Sequence, residues 1–356
     1  MTARSQSRKP YRLALEPLED RLAPAIFTVN STLDLPDDNP GDGFALTAGG
    51  SGSGVTTLRA AIMEANALAG SDTIIIPAGV YTLTIEGAGE DLAETGDLDI
   101  FSDITIIGAG ANLTIIQAGT TDSNGIDRVF HILNPGGGEG GDFGVEGIIG
   151  DDSITNVLMQ GITIRHGQAS FSGGGGIKLA TDEAGPGNPT LTLHEVAVDN
   201  NTSFGFGGGL DVGSSNVIIT NSTFSNNDAG AAGGGISNTF GYVSITNSTF
   251  SGNTAGIIGV PEGGEVLEPA GLLLGGGAIF GGFGSGATAI LDHTTVTDNL
   301  ALFGGGVLNP ASSSIFIKNS IIAENFLIDD LEVGEFTPLS SSSGSDVLGA
   351  FTSLGN

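Results

Sequence analysis

The heptapeptide NSTFSNN, residues Asn221 to Asn227, decides the fold because copies of it recur along the chain. The aligned copies are NSTFSGN (247–253), HTTVTDN (293–299), NSIIAEN (319–325), HEVAVDN (194–200) and a degenerate QGITIRH (160–166). Their final asparagines form a column, separated by 27, 26, 46 and 26 residues, whose members are Asn200, Asn227, Asn253, Asn299 and Asn325. The chain therefore repeats a unit of about 26 residues, and one copy carries an insertion of about twenty more.

Two further signals recur with the heptapeptide. Glycine-rich tetrapeptides stand at GGGI (174–177), GGGL (207–210), GGGI (233–236), GGAI (276–279) and GGGV (304–307). Short β-branched or alternating runs are LTL (191–193), VIIT (217–220), VSIT (243–246) and IFIK (315–318). A unit this small cannot bury its apolar side alone, but stacked units can do so by pairing their strands in parallel at about 4.8 Å. The sequence predicts an all-β solenoid, a parallel β-helix.

The asparagine and glycine columns both have a structural explanation. An Asn at the same corner of every coil meets identical amides one strand spacing away, so each side-chain carbonyl can accept from the next amide group. Asn also tolerates the left-handed backbone of a sharp corner. Glycine suits corners with positive φ and places where backbones pass closely. The alternative, a phosphate-binding loop, requires one glycine-rich loop that leads into a helix rather than five copies at coil spacing.

These motifs resemble known bacterial families. The FxxN motif (224–227 and 250–253) with a following GGAI-like tetrapeptide resembles the repeat of chlamydial polymorphic outer-membrane proteins, and the coils resemble right-handed parallel β-helices of the pectin-lyase-like superfamily. TTLRAAI (56–62), with DTI (72–74) and PAG (77–79), resembles the N-terminal CSLREA module of surface β-helix proteins, with Thr in place of its Cys and Ala60 in place of its Glu. Residues 319–356 resemble the start of a choice-of-anchor Q domain, and LEPLEDRLAPA (15–25) resembles a short motif of large surface proteins.

The resemblance implies a right-handed parallel β-helix on a bacterial surface protein. Residues 1–25 are predicted to be a disordered, targeting-like segment, 26–70 an N-terminal cap, and 71–356 the β-helix, with 319–356 as the anchor-type part. Within the cap, Leu58, Ile62, Ala65 and Leu68 predict a short amphipathic helix that covers the first coil. The polar residues expected to point away from the core are Arg59, Glu64 and Asn66.

The charge distribution restricts the partners. Of 10 Lys+Arg and 40 Asp+Glu in 356 residues, five basic residues and three acidic ones lie in the first 21 positions. The rest of the chain has five basic and 37 acidic residues, a net charge of −32. Such a surface repels phosphate backbones and anionic headgroups, which argues against nucleic-acid and membrane-surface binding. Because the chain has no Cys, disulfides, thiolate zinc sites and Cys nucleophiles are excluded.

The same sequence gives no transmembrane helix. The uncharged window 269–291 contains eight glycines and part of the repeat. The basic N-terminus lacks the apolar region of a cleaved signal peptide. We expect an extracellular or cell-surface bacterial protein whose partner is an extracellular glycan or a surface protein.

For an enzyme, the resemblance implies a polysaccharide lyase or a glycoside hydrolase, whose catalytic residues would be basic or acidic. A lyase for uronic-acid polymers needs converging cations, and Arg165 and Lys178 are the two basic residues of one predicted coil. An isolated basic residue is most often a solvated surface residue. This favours a protein without lyase activity. A hydrolase needs two carboxylates across a sugar, and pairs such as Asp199 and Asp228 are not fixed by sequence. His194 and His293 are predicted to replace Asn in the first heptapeptide column rather than to act as bases.

Two acidic clusters offer oxygen ligands for Ca²⁺. One comprises Asp91, Glu94, Asp97 and Asp99, and the other comprises Asp329, Asp330, Glu332 and Glu335. Asp97 and Asp99 would share one face of a strand and are the candidate metal ligands. The competing interpretation is a pair of solvated acidic loops, since neither cluster has the spacing of a calcium loop. The sequence therefore favours no bound cofactor.

The sequence leaves two functions open. The favoured one is a non-catalytic, structural or adhesive β-helix module that binds an extracellular glycan or protein. The alternative is a carbohydrate-active β-helix enzyme. A groove that gathers an Arg or Lys with two or more carboxylates would favour the enzyme. Inserted loops are a further candidate surface, the largest running from Ile257 to Leu274.

Overall fold

The structure, a computed structural model, is built of short strands stacked in register. It describes residues 24–47, 54–133, 154–169, 173–179, 188–256, 275–282, 286–310, 313–327, 346–349 and 351–353. The Ile257 to Leu274 insertion and the Asp329 to Glu335 cluster lie outside these ranges, as does all but the end of the 1–25 segment. In the described part, 32 strands form four sheets, and every pairing between strands is parallel.

Sheets 1 and 2 contain the longest strands, of up to five and four residues respectively. The strands of sheet 1, in spatial order, are Ile26–Thr28, Asp72–Ile76, Ile104–Gly108, Asn156–Gln160, Thr190–His194, Asn216–Thr220, Tyr242–Thr246, Thr288–Asp292, Ser314–Lys318 and Phe351–Ser353. The strands of sheet 2 are Gly79–Thr82, Thr114–Gln117, Thr163–Arg165, Ala197–Asp199, Thr223–Ser225, Thr249–Ser251, Thr295–Thr297 and Ile321–Ile322.

Sheet 4 closes the coils, and sheet 3 joins them from Gln168 onward. The strands of sheet 3 are Gln168–Ala169, Thr202–Ser203, Asp228–Ala229, Thr254–Ala255, Leu300–Ala301 and Phe326–Leu327. The strands of sheet 4 are Leu98–Ile100, Phe130–Ile132, Ile177–Leu179, Leu210–Asp211, Ile236–Ser237, Ile279–Phe280, Val307–Asn309 and Val347–Gly349. From the strand Asn156–Gln160 onward, the chain visits sheets 1, 2, 3 and 4 in turn and then returns to sheet 1, whereas the coils 72–100 and 104–132 have no described strand in sheet 3. The predicted all-β parallel β-helix is confirmed.

Alternation along each strand builds the core. In the strand Asn216–Thr220, Val217 and Ile219 are fully buried, whereas Ile218 between them is 48% exposed. Inward side chains stack in columns from coil to coil, as the rings of Phe224 and Phe250 do at a centroid distance of 4.9 Å. Because inward columns such as this one are apolar, one continuous core runs along the solenoid axis.

A column of asparagines runs along the corner between sheets 2 and 3. The Nδ2 group of Asn227 donates to Oδ1 of Asn253 at 2.9 Å, Asn253 donates to Asn299 at 2.9 Å, and Asn299 donates to Asn325 at 2.8 Å. The last acceptor is Oδ1 of Asp346, 3.0 Å from Nδ2 of Asn325. These amides are buried, and each bonds to the next coil.

The preceding member of this column is Asn201, and the prediction of Asn200 is wrong by one residue. Nδ2 of Asn201 donates to Oδ1 of Asn227 at 2.9 Å. Asn200 instead has a left-handed backbone (φ 53°), and its side chain bonds to Asp199. The left-handed corner residue and the column residue are therefore two successive positions, and both are Asn in this coil.

The same shift of one residue applies to the whole heptapeptide copy 194–200. The strand Ala197–Asp199 pairs with Thr223–Ser225, which aligns Glu195 with Asn221. Glu195, Asn221 and His293 all have φ between 52° and 54°. Glu195 thus occupies the corner that the sequence assigned to His194, whereas His293 lies where the sequence placed it.

The glycine tetrapeptides form the corner that leads into sheet 4. Gly233 has φ +71°, a conformation that disfavours other residues. At Gly234 a Cβ atom would lie 2.4 Å from the carbonyl oxygens of Gly277 and Thr254. Both expected reasons for glycine therefore apply at adjacent positions of one corner.

The N-terminal segment forms one helix, Leu58–Ala67, capped by the Thr57 hydroxyl, and also supplies the strand Ile26–Thr28 of sheet 1. The expectation that polar helix residues point away is wrong, since Arg59, Glu64 and Asn66 are at most 5% exposed. Each binds backbone groups of neighbouring loops; Nδ2 of Asn66, for example, donates to the Asp99 carbonyl at 2.8 Å. In the described part of the chain, no helix is long and apolar enough to cross a membrane.

Candidate functional site

The outward side chains of sheet 4 form the candidate site. Parallel pairing places Asp99 beside His131, His131 beside Lys178, Lys178 beside Asp211 and Asp211 beside Ser237. We call these five residues the polar row. Neighbouring members are one strand spacing apart, about 4.8 Å. Stacking thus joins groups that are far apart in the sequence.

The polar row is largely buried. Asp99, His131, Lys178 and Ser237 are between 0% and 6% exposed, and Asp211 is partly buried. Their strand neighbours point into the core on the opposite side of the sheet, so the row lies on the outer face of the coil.

The next coils carry apolar residues in the same column. Phe280 pairs with Ser237, and Leu308 pairs with Phe280. Both are buried in a small second core, where the rings of Phe280 and Phe206 stack at a centroid distance of 6.1 Å. The fold therefore accepts apolar side chains at this position. Burying charged side chains there costs free energy, and the fold does not need charged residues at this position.

A buried ion pair flanks the row. Nη1 of Arg128 lies 3.0 Å from Oδ2 of Asp97, and both residues are less than 8% exposed. Burial and then the neighbouring Asp127 carboxyl raise the pKa of Asp97 to about 7, against the opposing charge of Arg128. The pKa of Asp127 is also raised, mainly by burial. Two cations and four carboxyl groups therefore lie on one side of sheet 4.

His131 occupies the acidic end of the row. Its Nδ1 atom is 3.4 Å from Oδ1 of Asp91 and 3.4 Å from Oδ1 of Asp99. Burial lowers the pKa of His131, which favours the neutral imidazole, and burial raises the pKa of Asp99 well above its usual value. Ligand atoms of these three residues lie within 4.8 Å of one another.

The catalytic candidates Arg165 and Lys178 share a coil but not a face. Arg165 ends a strand of sheet 2, where its Nε donates to Oε1 of Gln117 at 2.9 Å, and Lys178 lies in sheet 4. The expectation that Lys178 is an isolated, solvated cation is wrong, since it is 6% exposed, and Arg128 beside the row is 7% exposed. Their partners come from neighbouring coils rather than from their own.

The metal candidates Asp97 and Asp99 have different partners. Asp97 binds Arg128, whereas Asp99 faces His131 and accepts a hydrogen bond from the Ala93 amide at 2.8 Å. His131 was not among the sequence candidates for the site, and Asp91 was named only as a member of the first acidic cluster. One sequence signal does reveal part of the row, because the residue after each glycine tetrapeptide points outward: Lys178, Asp211, Ser237, Phe280 and Leu308.

Comparisons with known proteins give a similarity of fold. No family model matches the sequence, and no curated protein matches it. Two solved structures from Azotobacter vinelandii, the A-modules of the mannuronan C-5 epimerases AlgE6 and AlgE4, are 18% and 17% identical to this chain, and each has a TM-score of 0.44. Each similarity covers 75% of this chain and, respectively, 65% and 67% of the epimerase module.

A plant enzyme is similar over more of the chain. Carrot pectin methylesterase is 13% identical, with a TM-score of 0.34, and the similarity covers 86% of this chain and 81% of the esterase. At these identities the likeness concerns the fold.

Asp211 predicts how stability varies with pH. Burial raises its pKa to about 7, against the opposing charges of Lys178 and Arg128 and a polar contact with Ser237. The folded state therefore holds a proton that the unfolded state has released above about pH 4, so this group makes the free energy of unfolding fall between pH 4 and 7. Asp211→Asn should flatten that fall by at least about 1.4 kcal/mol, one pKa unit. Chemical denaturation at pH 5 and pH 8 measures it.

The exposed Asp122 provides the matched control for this experiment. Asp122→Asn removes one carboxyl group from the same highly acidic chain without touching sheet 4. Equal flattening in both variants would mean that general charge repulsion, and not the burial of Asp211, sets the pH dependence.

Proposed function

We propose that the protein is a secreted or surface-displayed β-helix protein that acts on an extracellular glycan at the polar row. The observation that supports this is the change of side chain along one column, from Asp99, His131, Lys178 and Asp211 to Phe280 and Leu308. Charged groups that a fold does not need, and that carry shifted pKa values, are typical of functional sites.

The charges favour a sugar that bears a carboxylate. Lys178 and Arg128 lie on the same side of sheet 4, although the body of the chain is strongly acidic. An ammonium and a guanidinium can hold the carboxylate of a uronic acid, and neighbouring carboxyl groups can bond to its hydroxyls. A row that extends along the solenoid axis suits an elongated ligand.

The reaction class that fits this set is general acid–base catalysis. A pKa of about 7 places the Asp211 carboxyl near the optimum for proton transfer at neutral pH, and Lys178 is its neighbour in the row. Asp211 is partly buried and Asp91, beside the row, is 18% exposed in its side chain, so these are the solvent-facing points of the cluster.

The second candidate function is the non-catalytic glycan- or protein-binding module. The observation that favours it is the burial of Lys178 and Arg128, since a buried, charge-compensated network is also what a purely structural role would produce. Binding without turnover would support this candidate.

The test compares polymers and one substitution. The protein is incubated with alginate, pectate and a neutral glucan, and unsaturated ends, reducing ends and changes in sugar configuration are measured. We expect turnover of a polyuronate, and Lys178→Met should reduce it at least tenfold, because the substitution removes a cation from the row but keeps its volume. Lys318→Met, at a side chain 45% exposed on sheet 1, is the control and should match the parent.

Two results would contradict the enzymatic proposal. One is the absence of both turnover and binding with all three polymers. The other is turnover that Lys178→Met leaves unchanged while the variant unfolds at the parental denaturant midpoint. Saturable binding of a polyuronate without any product would instead assign the non-catalytic function.

A further inference from the structure

Three side chains at one end of sheet 4 come together from two coils. Asp99 and His131 are paired across neighbouring strands, and Asp91 approaches from the loop before the strand Leu98–Ile100. Each offers one ligand atom, and the three atoms lie within 4.8 Å of one another. We infer that Asp91, Asp99 and His131 bind one divalent transition-metal ion of the Zn²⁺ class.

The distances fit a metal better than direct hydrogen bonds. Nδ1 of His131 is 3.4 Å from a carboxylate oxygen of Asp91 and 3.4 Å from one of Asp99. An N–H···O hydrogen bond is shorter, about 2.7 to 3.2 Å. Ligands at about 2.0 to 2.1 Å from a tetrahedral ion lie about 3.3 Å from one another. The two observed separations are therefore those of neighbouring corners of a tetrahedron around an ion.

A buried oxygen without a hydrogen-bond partner points independently to a ligand. Asp99 is fully buried, its Oδ2 accepts from the Ala93 amide at 2.8 Å, and its Oδ1, on the side of His131, has no hydrogen-bond partner. Buried polar atoms in folded proteins are satisfied with few exceptions. A bound cation would satisfy this oxygen and neutralise the neighbouring carboxylates of Asp91 and Asp99.

The donor set selects the kind of ion. Ca²⁺ and Mg²⁺ are bound by oxygen ligands, whereas an imidazole nitrogen with carboxylates suits first-row transition metals and Zn²⁺. Three protein ligands leave a fourth position, and Asp91, 18% exposed in its side chain, opens the cluster to water. The site uses Asp99 with His131, rather than with Asp97 as the sequence pattern had indicated.

The experiment measures metal binding to the whole chain without any sugar. Protein freed of metal by dialysis against a chelator is titrated with Co²⁺ and with Zn²⁺. We expect one ion per chain, a visible Co²⁺ spectrum of four-coordinate type that Zn²⁺ abolishes, and a saturable rise of the thermal midpoint. Ca²⁺ at the same concentration should not compete.

Two variants and one control make the result specific. His131→Gln and Asp91→Asn should each weaken Zn²⁺ binding by about 100-fold, since loss even of an outer-shell partner costs 10- to 100-fold. His293→Gln is the control, because His293 also neighbours a carboxylate, at 2.8 Å from Asp292, but is exposed. It should bind Zn²⁺ as the parent does.

Asp91→Asn guards against misfolding, because Asp91 lies at the edge of the cluster and outside the polar row. Less than one ion per chain in the parent would overturn the inference, as would parental affinity in a folded Asp91→Asn variant or displacement of Zn²⁺ by equimolar Ca²⁺. None of these results bears on sugar turnover, which is measured separately with Lys178→Met.

Discussion

Replacing Arg59 by methionine should lower the free energy of unfolding by about 3 to 5 kcal/mol, the usual cost of removing one partner of a buried ion pair. Nε of Arg59 lies 2.7 Å from Oδ1 of Asp34, and both side chains are at most 3% exposed. The guanidinium also donates to the carbonyls of Ala93, Gly96 and Asp97 at 2.8 to 3.1 Å. Methionine fills similar volume but leaves these acceptors without their donor.

Urea or guanidinium unfolding, followed by circular dichroism, measures the effect. Arg165→Met is the matched control, because Arg165 is only partly buried and makes a single described side-chain hydrogen bond, to Gln117. That variant should lose less than about 1 kcal/mol. Equal losses in the two variants would show that Arg59 does not fasten the helix to the first coils.

Asn227→Ala should destabilise the protein by about 1 to 3 kcal/mol because it interrupts the asparagine column. Oδ1 of Asn227 accepts from the amide and the side chain of Asn201, and its Nδ2 donates to the Val198 carbonyl and to Asn253. All four contacts are buried, so the groups left behind have no water to replace the lost partner.

The control for this substitution is Asn216→Ala, at an exposed position of sheet 1 in the same coil. It should shift the denaturation midpoint only slightly. A parental midpoint for Asn227→Ala would mean that the buried amides add nothing measurable to stability.

The sequence was sufficient to predict the coiled architecture but not the exact residue at each corner. The 26-residue period, the β-branched runs and the glycine corners predicted the parallel β-helix, because stacking repeats the same chemistry at every level. The column assignment failed at Asn200 because Asn200 and Asn201 are identical in type, although one adopts the left-handed corner and the other bonds along the axis. The separation of 27 residues between Asn200 and Asn227, one more than the 26-residue period, was the sequence signal for Asn201.

The site was less predictable, since it depends on neighbours in space. Arg128 and His131 lie in one coil, whereas Lys178 and Asp211 lie in the next two, and their sequence separations gave no reason to group them. The helix shows the same limit. Arg59 and Glu64 occupy positions that a helical wheel assigns to solvent, but loops fold over them, and their buried groups bind backbone atoms there.

The asparagine column also has a direction. Every amide donates its Nδ2 to the next coil and accepts from the previous one, so the bonds all run one way along the axis. Asp346 accepts the last of them at 3.0 Å. An ionised carboxylate has no hydrogen to donate, so within the described residues the row of side-chain hydrogen bonds ends at Asp346. An Asp346→Asn substitution would place an Nδ2 donor at this end of the column. Another coil, or another molecule, could then accept its hydrogen bond and stack in register.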